Sequence, residues 1–469
     1  MQTEKYRNII VGSGEGGKYL AWHLAQSGEQ TVVVERRWVG GSCPNINCLP
    51  SKNEIWSARV ANLLHHAAAF GAAAASPLID MAVVRKRKRE MVEGLIQMHL
   101  DRYRKTGAEL VMGEAKFVAN KTLEVSLNGG GTRRLMGERI FLNLGTHASI
   151  PSVPGLAESR PLTHIEILEL DRLPKHLIIV GGGYVGLEFA QAYRRFGSQV
   201  TIVQRGAQFL AREDPDVAAE MVKILSAEGI EMIPSAEITA VQGRCGTEVT
   251  VFLKSSAVER ALRGSDILVA AGRTPNTSGV GLELTGVEVD SRGYIIVTDR
   301  LETTASNIWA IGECAGSPQF THASFDDFRV IRDNLSGVHR SLRDRLVPYC
   351  LFTDPQLAHV GLTETEARSR GIATRIVSLP MAAVLRTRTT GETQGFMKAL
   401  IDAKSDRILG FTMIGPEAGE VMAVVQTAML GGLPYTVLRD AIFTHPTMAE
   451  GLNTLFSSVK PANAMTPLS

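Results

Sequence analysis

Two cysteines five residues apart, Cys43 and Cys48 in "GGSCPNINCLPSK", are the first residues whose type and spacing suggest chemistry. Such a pair can be a structural staple, half of a metal site, or a couple that makes and breaks a disulfide. In a regular helix, residues five apart are separated by about 7.5 Å along the axis. Bonded cysteines keep their Cα atoms roughly 4.4 to 6.8 Å apart. The two can therefore pair only if the segment between them departs from helical winding. Pro44 suits the first turn of a helix, and the asparagines of "NIN" tolerate other backbone geometry. A strained, accessible disulfide is the more readily reduced kind, and a helix N-terminus favours a thiolate. A zinc site would need two more ligands, and no second close Cys/Cys or Cys/His pair accompanies this one, so no metal ligands are expected. Cys245, Cys314 and Cys350 stand alone and are read as buried apolar filler.

The segments flanking this pair are built to hold nucleotides. "NIIVGSGEGGKYLAWHLAQSG" is an apolar strand, a glycine turn and a helix, with Gly12, Gly14 and Gly17 in the order G-x-G-x-x-G. That order supplies a tight turn, close backbone approach to a pyrophosphate, and close helix–strand packing. The next strand, "TVVVE", ends at Glu35, 21 residues after Gly14, where a carboxylate can accept from ribose hydroxyls. The pattern recurs in "HLIIVGGGYVGLEFAQAYRRFGSQVTIVQRG", with Gly181, Gly183 and Gly186. Counting the same interval from Gly183 reaches Gln204, followed by Arg205 and, further on, Arg212. A neutral residue beside arginines suits a 2′-phosphate, which an acid would repel, so NADPH is expected over NADH. Two dinucleotide sites in one chain, where one hydride source suffices, imply that the other holds a flavin able to convert hydride chemistry into thiol chemistry.

The bulk properties agree with a soluble enzyme. A chain of 469 residues exceeds one hydrophobic core, and roughly three domains are expected. A net charge of +2 argues against a dedicated nucleic-acid or membrane-surface partner. The basic run "RKRKRE", Arg85 to Glu90, is read as a solvated helix face. No apolar run is long enough to span a bilayer, even through "ARVANLLHHAAAFGAAAAS". The short polar lead into the first strand leaves no room for a signal peptide. A cytoplasmic location follows, and in a reducing compartment a close cysteine pair is more often catalytic or metal-binding than structural.

Together, "GSCPNINCLPSK", the second glycine turn, "AAGRTPNT", "IWAIGECAG" and "FTHPTMAEGLN" resemble the flavin-dependent pyridine nucleotide-disulfide oxidoreductases, in the family's order and across essentially the whole chain. "VQRGAQFLARED" and "THASFDDFRV" are most similar to the mercuric-reductase-like branch, which also contains reductases linked to reactive chlorine and copper. The resemblance implies an α/β fold with two Rossmann-like dinucleotide-binding domains and a C-terminal α+β dimerisation domain. The expected divisions are 1–155 and 276–345 for the two parts of the FAD domain, 156–275 for the NAD(P)H domain and 346–469 for dimerisation. It also implies that Cys43 is the interchange thiol and Cys48 the charge-transfer thiol. Lys52 would sit near flavin N5, paired with Glu188. Tyr184 would cover the flavin and swing away for nicotinamide. Gly145, Gly272, Arg273 and Gly312 join the cofactor-binding set. Glu313 replaces the family's usual aspartate toward the ribityl chain, one methylene longer. The helix start in "THASFDDF" would face the flavin's O2 edge.

Thiol chemistry also needs a base. His445, with Glu450 five positions later, fits an imidazole oriented by a carboxylate. The resemblance implies that this histidine serves the disulfide of the other subunit of a homodimer. The expected enzyme passes electrons from NADPH through FAD to a small disulfide, a soft metal ion or a quinone. A dihydrolipoamide-dehydrogenase-like enzyme, which would use NAD, or a flavoprotein redox sensor with little turnover, are the alternatives. The chain ends "SSVKPANAMTPLS", without the cysteine pair that full mercuric reductases carry there, and it opens directly on its first fingerprint; efficient mercury reduction is not expected.

Overall fold

The computed structural model describes residues 2–73, 78–255, 259–343 and 345–460. The tail beyond Lys460, where a C-terminal cysteine pair would be sought, lies outside the described residues, as do residues 74–76 of the Ala-rich segment.

Uninterrupted apolar runs form parallel strands buried on both faces, as such runs must when helices cover a sheet from either side. In the first sheet, Thr3–Val11 lies parallel to Thr31–Glu35 and to Thr132–Leu142, which in turn pairs with Ile308–Ala310. Glu109–Ala119 pairs parallel with Thr31–Glu35 and, through Thr122–Leu127, antiparallel back toward Thr132–Leu142. A second, four-stranded parallel sheet runs in the order Asp266–Val269, His176–Val180, Gln199–Val203, Glu231–Ile233. Its flank carries the antiparallel ribbon Glu237–Arg244, Glu248–Lys254, Glu259–Gly264. The chain enters and leaves this second unit through one short ladder, Thr146–Ala148 against Arg273–Pro275. The third unit is a five-stranded antiparallel sheet, spanning Tyr349–Leu351 to Ile408–Gly415, packed against the helix Ala418–Leu430. The strands Phe396–Asp402 and Ile408–Gly415 form a hairpin within this sheet.

Both glycine turns are forced by close approach. Gly12 has φ +99°, and a Cβ there would lie 2.3 Å from the carbonyl oxygen of Asn143. A Cβ on Gly186 would lie 2.2 Å from the carbonyl oxygen of Gly181, so only glycine lets the helix Tyr184–Phe196 sit this close to its strand.

The basic run departs from its sequence reading at Lys88. It lies on the helix Met81–Thr106, but Lys88 is buried, 3.2 Å from an equally buried Glu54 on the helix Cys48–His65. Helical spacing puts Lys88 on the inner face with Met81 and His99, while its neighbours reach sideways. Arg85 pairs with Asp171 at 2.8 Å, Arg87 donates to Asn53 at 2.8 Å, and Arg89 pairs with Glu169. Lys86, Arg87, Arg89 and Glu90 are exposed, as a solvated face requires, while Lys88 turns inward. Among the described residues, no helix is long and apolar enough to cross a membrane.

Candidate active site

The backbone around the cysteines breaks where asparagine was expected to permit it. Cys43 lies on the short helix Ser42–Ile46, Asn47 adopts φ −138°, ψ −101°, and Cys48 begins a new helix, Cys48–His65. Asn45 pins the loop ahead of the pair by donating to the carbonyls of Val39 and Gly41, at 2.9 and 2.7 Å. The cysteines are held as two half-buried free thiols whose ionisations influence each other. Cys48 Sγ lies 3.2 Å from the hydroxyl of Thr321, the first residue of the helix Thr321–Leu335. The Cys43 thiol, the Thr321 hydroxyl and the Lys52 charge together bring the Cys48 pKa down to about 6, against the opposing effect of burial. The neighbouring Cys48 thiol, with burial, pushes Cys43 up. The asymmetry favours the charge on Cys48 over Cys43.

A cavity of about 610 Å³ runs from this pair to the first glycine turn. Gly12, Gly14, Glu35, Gly145, Thr146, Glu313 and Thr321 are among its wall residues. Gly17 closes the turn, its N–H donating to Asn143 Oδ1 at 3.1 Å, while Asn143 Nδ2 reaches the carbonyl of Ile311 at 3.0 Å. Glu35 accepts from the N–H groups of Ser13, Arg37 and Trp38, at 2.8, 2.8 and 2.9 Å. Three of its roughly four acceptor directions are thereby used. The wall also carries His164, buried, whose Nε2 has no partner among the described residues. A cavity of this size, with a glycine turn and a fixed carboxylate at one end and a sulfur pair at the other, fits FAD.

Lys52 and Glu188 meet at 2.7 Å although they are 136 positions apart. The other oxygen of Glu188 accepts from the N–H of Phe352 at 2.8 Å, and the Lys52 ammonium stands 4.9 Å from the Phe352 ring centre. Glu313 receives hydrogen bonds from Arg273 Nε, at 3.1 Å, and from the Thr146 hydroxyl. Its extra methylene thus brings the carboxylate to an arginine on the ladder that joins the first two units. Gly272 and Gly312 have φ of +122° and +73° at the turns that carry Arg273 and Glu313. The helix start at Thr321 does border the cavity, through Phe320, Thr321 and Ser324.

At the second turn, Gly181 and Gly183 lead into the helix whose first residue is Tyr184. Gln204 closes this turn, its Oε1 accepting from the N–H of Gly182 at 3.0 Å. Arg205 and Arg212 are exposed and form no ion pair among the described residues. The Tyr184 hydroxyl donates to Glu213 at 2.6 Å, and burial and that carboxylate raise its pKa. His445 is placed elsewhere. Its Nδ1 lies 2.9 and 3.0 Å from the two oxygens of Glu450, its side chain is 61% exposed, and it is not on the cavity wall. Asn453 holds the preceding loop by donating to the carbonyls of Leu438, Arg439 and Ala441.

Residues 6–327 match the family described as pyridine nucleotide-disulphide oxidoreductase, and residues 347–456 match its dimerisation domain. The chain belongs to this family. It is 38% identical over 462 residues to the probable pyridine nucleotide-disulfide oxidoreductase RclA of Escherichia coli, covering 97% of this chain and all of that one. It is 33% identical over 450 residues to a mercuric reductase of Streptomyces lividans, covering 95% and 94% of the two chains. Among solved structures, it is similar to the HOCl-induced flavoprotein disulfide reductase RclA of E. coli, with a TM-score of 0.87, and to a Cu(II) complex of that protein, with 0.88. Both share 37% identity and cover 97% of this chain and all of the other. Membership makes the chain an oxidoreductase that uses FAD and a nicotinamide nucleotide, with a domain for homodimer assembly.

Sequence reading missed Thr321, Asn143, His164 and Glu213. Thr321 lies in a stretch noted only for its helix start, and nothing local marks a hydroxyl that will meet a sulfur 273 positions away. Asn143 follows an apolar strand without any motif.

Proposed function

We propose that this chain passes electrons from NADPH, by way of FAD, to the Cys43–Cys48 pair and from there to a thiol-reactive metal ion such as Cu(II) or Hg(II), or to a small disulfide. The observation that carries the reading is the pair Cys43 and Cys48 on the wall of the cavity that begins at the first glycine turn, with Cys48 Sγ 3.2 Å from the Thr321 hydroxyl. FAD bound there supplies the conversion of a hydride from NADPH into an electron pair for the sulfurs. Lys52, fixed by Glu188, keeps a positive charge beside Cys48 and lowers the energy of the sulfur anion. Cys43, the protonated member, is the sulfur free to meet an acceptor. Returning to the disulfide, the pair gives up two electrons, reducing two Cu(II) to two Cu(I) or splitting one disulfide into two thiols. Glu450 orients His445 through Nδ1 and leaves Nε2 to take the proton from Cys43 of the partner subunit.

A thiol-reactive metal ion is favoured by the relatives, which include mercuric reductases and a reductase solved with Cu(II); thiolate pairs bind soft ions well. Arg205 and Arg212, exposed and without ion pairs among the described residues, support the choice of NADPH. The test is NADPH oxidation by the FAD-loaded dimer with Cu(II), Hg(II), lipoamide, oxidised glutathione and quinones. Sustained turnover with Cu(II), lost in Cys43→Ser, is expected. Negligible turnover with every acceptor would point to a redox sensor instead. Comparison of the two coenzymes in stopped flow should favour NADPH, and Arg205→Ala should raise its Kd while leaving that of NADH unchanged.

A further inference from the structure

Tyr184 shares its partner. Its hydroxyl donates to Glu213 Oε1 at 2.6 Å, and the hydroxyl of Tyr349 donates to the same oxygen at 2.8 Å. The two rings lie against each other with centres 5.7 Å apart. Glu213 is 4% exposed, and its second oxygen, Oε2, is buried without a hydrogen-bond partner among the described residues. The nearby buried ammonium of Lys398 is engaged instead by Asp214 and Asp216. The two phenols are therefore what satisfies a buried carboxylate, a group that is costly to leave alone.

The three members are not equally free. Asp214, next in the chain, accepts from the N–H groups of Glu364 and Thr365, at 3.0 and 2.9 Å, and pairs with the buried Lys398 at 2.9 Å. Glu213 is thus tied to the C-terminal unit, which also carries Tyr349. Tyr349 is held further by stacking on Phe320, with centres 5.6 Å apart and planes at 4°. Tyr184 alone sits at the start of a helix beside the nucleotide turn, where rotation of one side chain would release it.

We propose that Glu213 is a positioning residue that latches Tyr184 closed at the nicotinamide side of the second turn, with Tyr349 as the donor that stays when Tyr184 leaves. The proposal rests on the reading above that NADPH binds at this turn and displaces Tyr184. Sharing one oxygen makes opening tolerable. The closed state has two donors on Glu213 and the open state one, so the buried charge is never bare.

The two phenols must then affect coenzyme binding in opposite directions. Calorimetric titration of NADP⁺ into the oxidised, FAD-loaded dimer reads this without turnover. Tyr184→Phe removes the latch, and Kd should fall by about tenfold, the scale of one hydrogen bond to a charged group. Tyr349→Phe removes the donor that remains on opening, and Kd should rise by about tenfold or more. Glu213→Gln weakens the latch and should lower Kd. Mere loss of packing would raise Kd in all three. Shifts of one sign at both tyrosines, or none at either, overturn the latch. If a tyrosine variant does not fold, Glu213→Gln decides alone, an unchanged or raised Kd overturning the proposal. Absence of NADP⁺ binding by the wild-type protein would overturn the reading of the second site itself, which is a separate failure.

Discussion

At Cys48, three neighbours favour a charged sulfur and burial opposes them, and each neighbour can be removed singly. The thiolate of the reduced protein should titrate with a midpoint of about 6, read by its ultraviolet absorbance. Thr321→Val and Lys52→Met should each move that midpoint upward, because each deletes an interaction that favours the anion. Cys43→Ser should retain FAD while losing acceptor reduction, and unaffected turnover would contradict the role given to Cys43. The same shift links to stability. The folded pKa lies below that of a free thiol, so the charge stabilises the fold fully above the free-thiol pKa. That contribution is lost as pH falls through about 6, and denaturant titrations of the reduced protein should show the loss.

The helix that starts at Cys48 is fastened from beneath by Glu54 and Lys88, both almost completely buried. Burial raises the Glu54 pKa against the pull of Lys88, so removing the lysine leaves a carboxylate in an apolar setting. Lys88→Met should destabilise the protein by about 3 to 5 kcal/mol in urea unfolding, and Glu54→Leu added to it should recover part of that loss. This pair also marks the limit of what sequence could tell. The two glycine turns, the parallel strands and the break at Asn47 were legible because local steric and hydrogen-bonding rules dictate them. Lys88 was not, because six consecutive charged residues look solvated until a second helix is known to pass beside one of them. Nor was the engagement of Glu313 with Arg273, since the extra methylene says how far a carboxylate reaches and not which cation it finds.

Over the whole molecule, the sulfur pair and the histidine stand apart. The cavity that holds Cys43 and Cys48 has no wall residue from the loop of His445, and near that loop Ile442 is fully exposed, with Leu430 and Val437 also open. Large apolar side chains left open in one chain suit burial against a second copy. Mixing inactive Cys43→Ser with inactive His445→Ala subunits should then restore activity, to about a quarter of wild type if exchange is random, since half of the dimers are mixed and each has one intact centre. No recovery would mean that both groups act within one chain. The ladder between Thr146–Ala148 and Arg273–Pro275 has a different consequence. Because the second unit departs and returns at adjacent strands, it is a graftable cassette. Exchanging it for that of an NADH-specific relative should transplant coenzyme choice while the acceptor profile stays with the recipient.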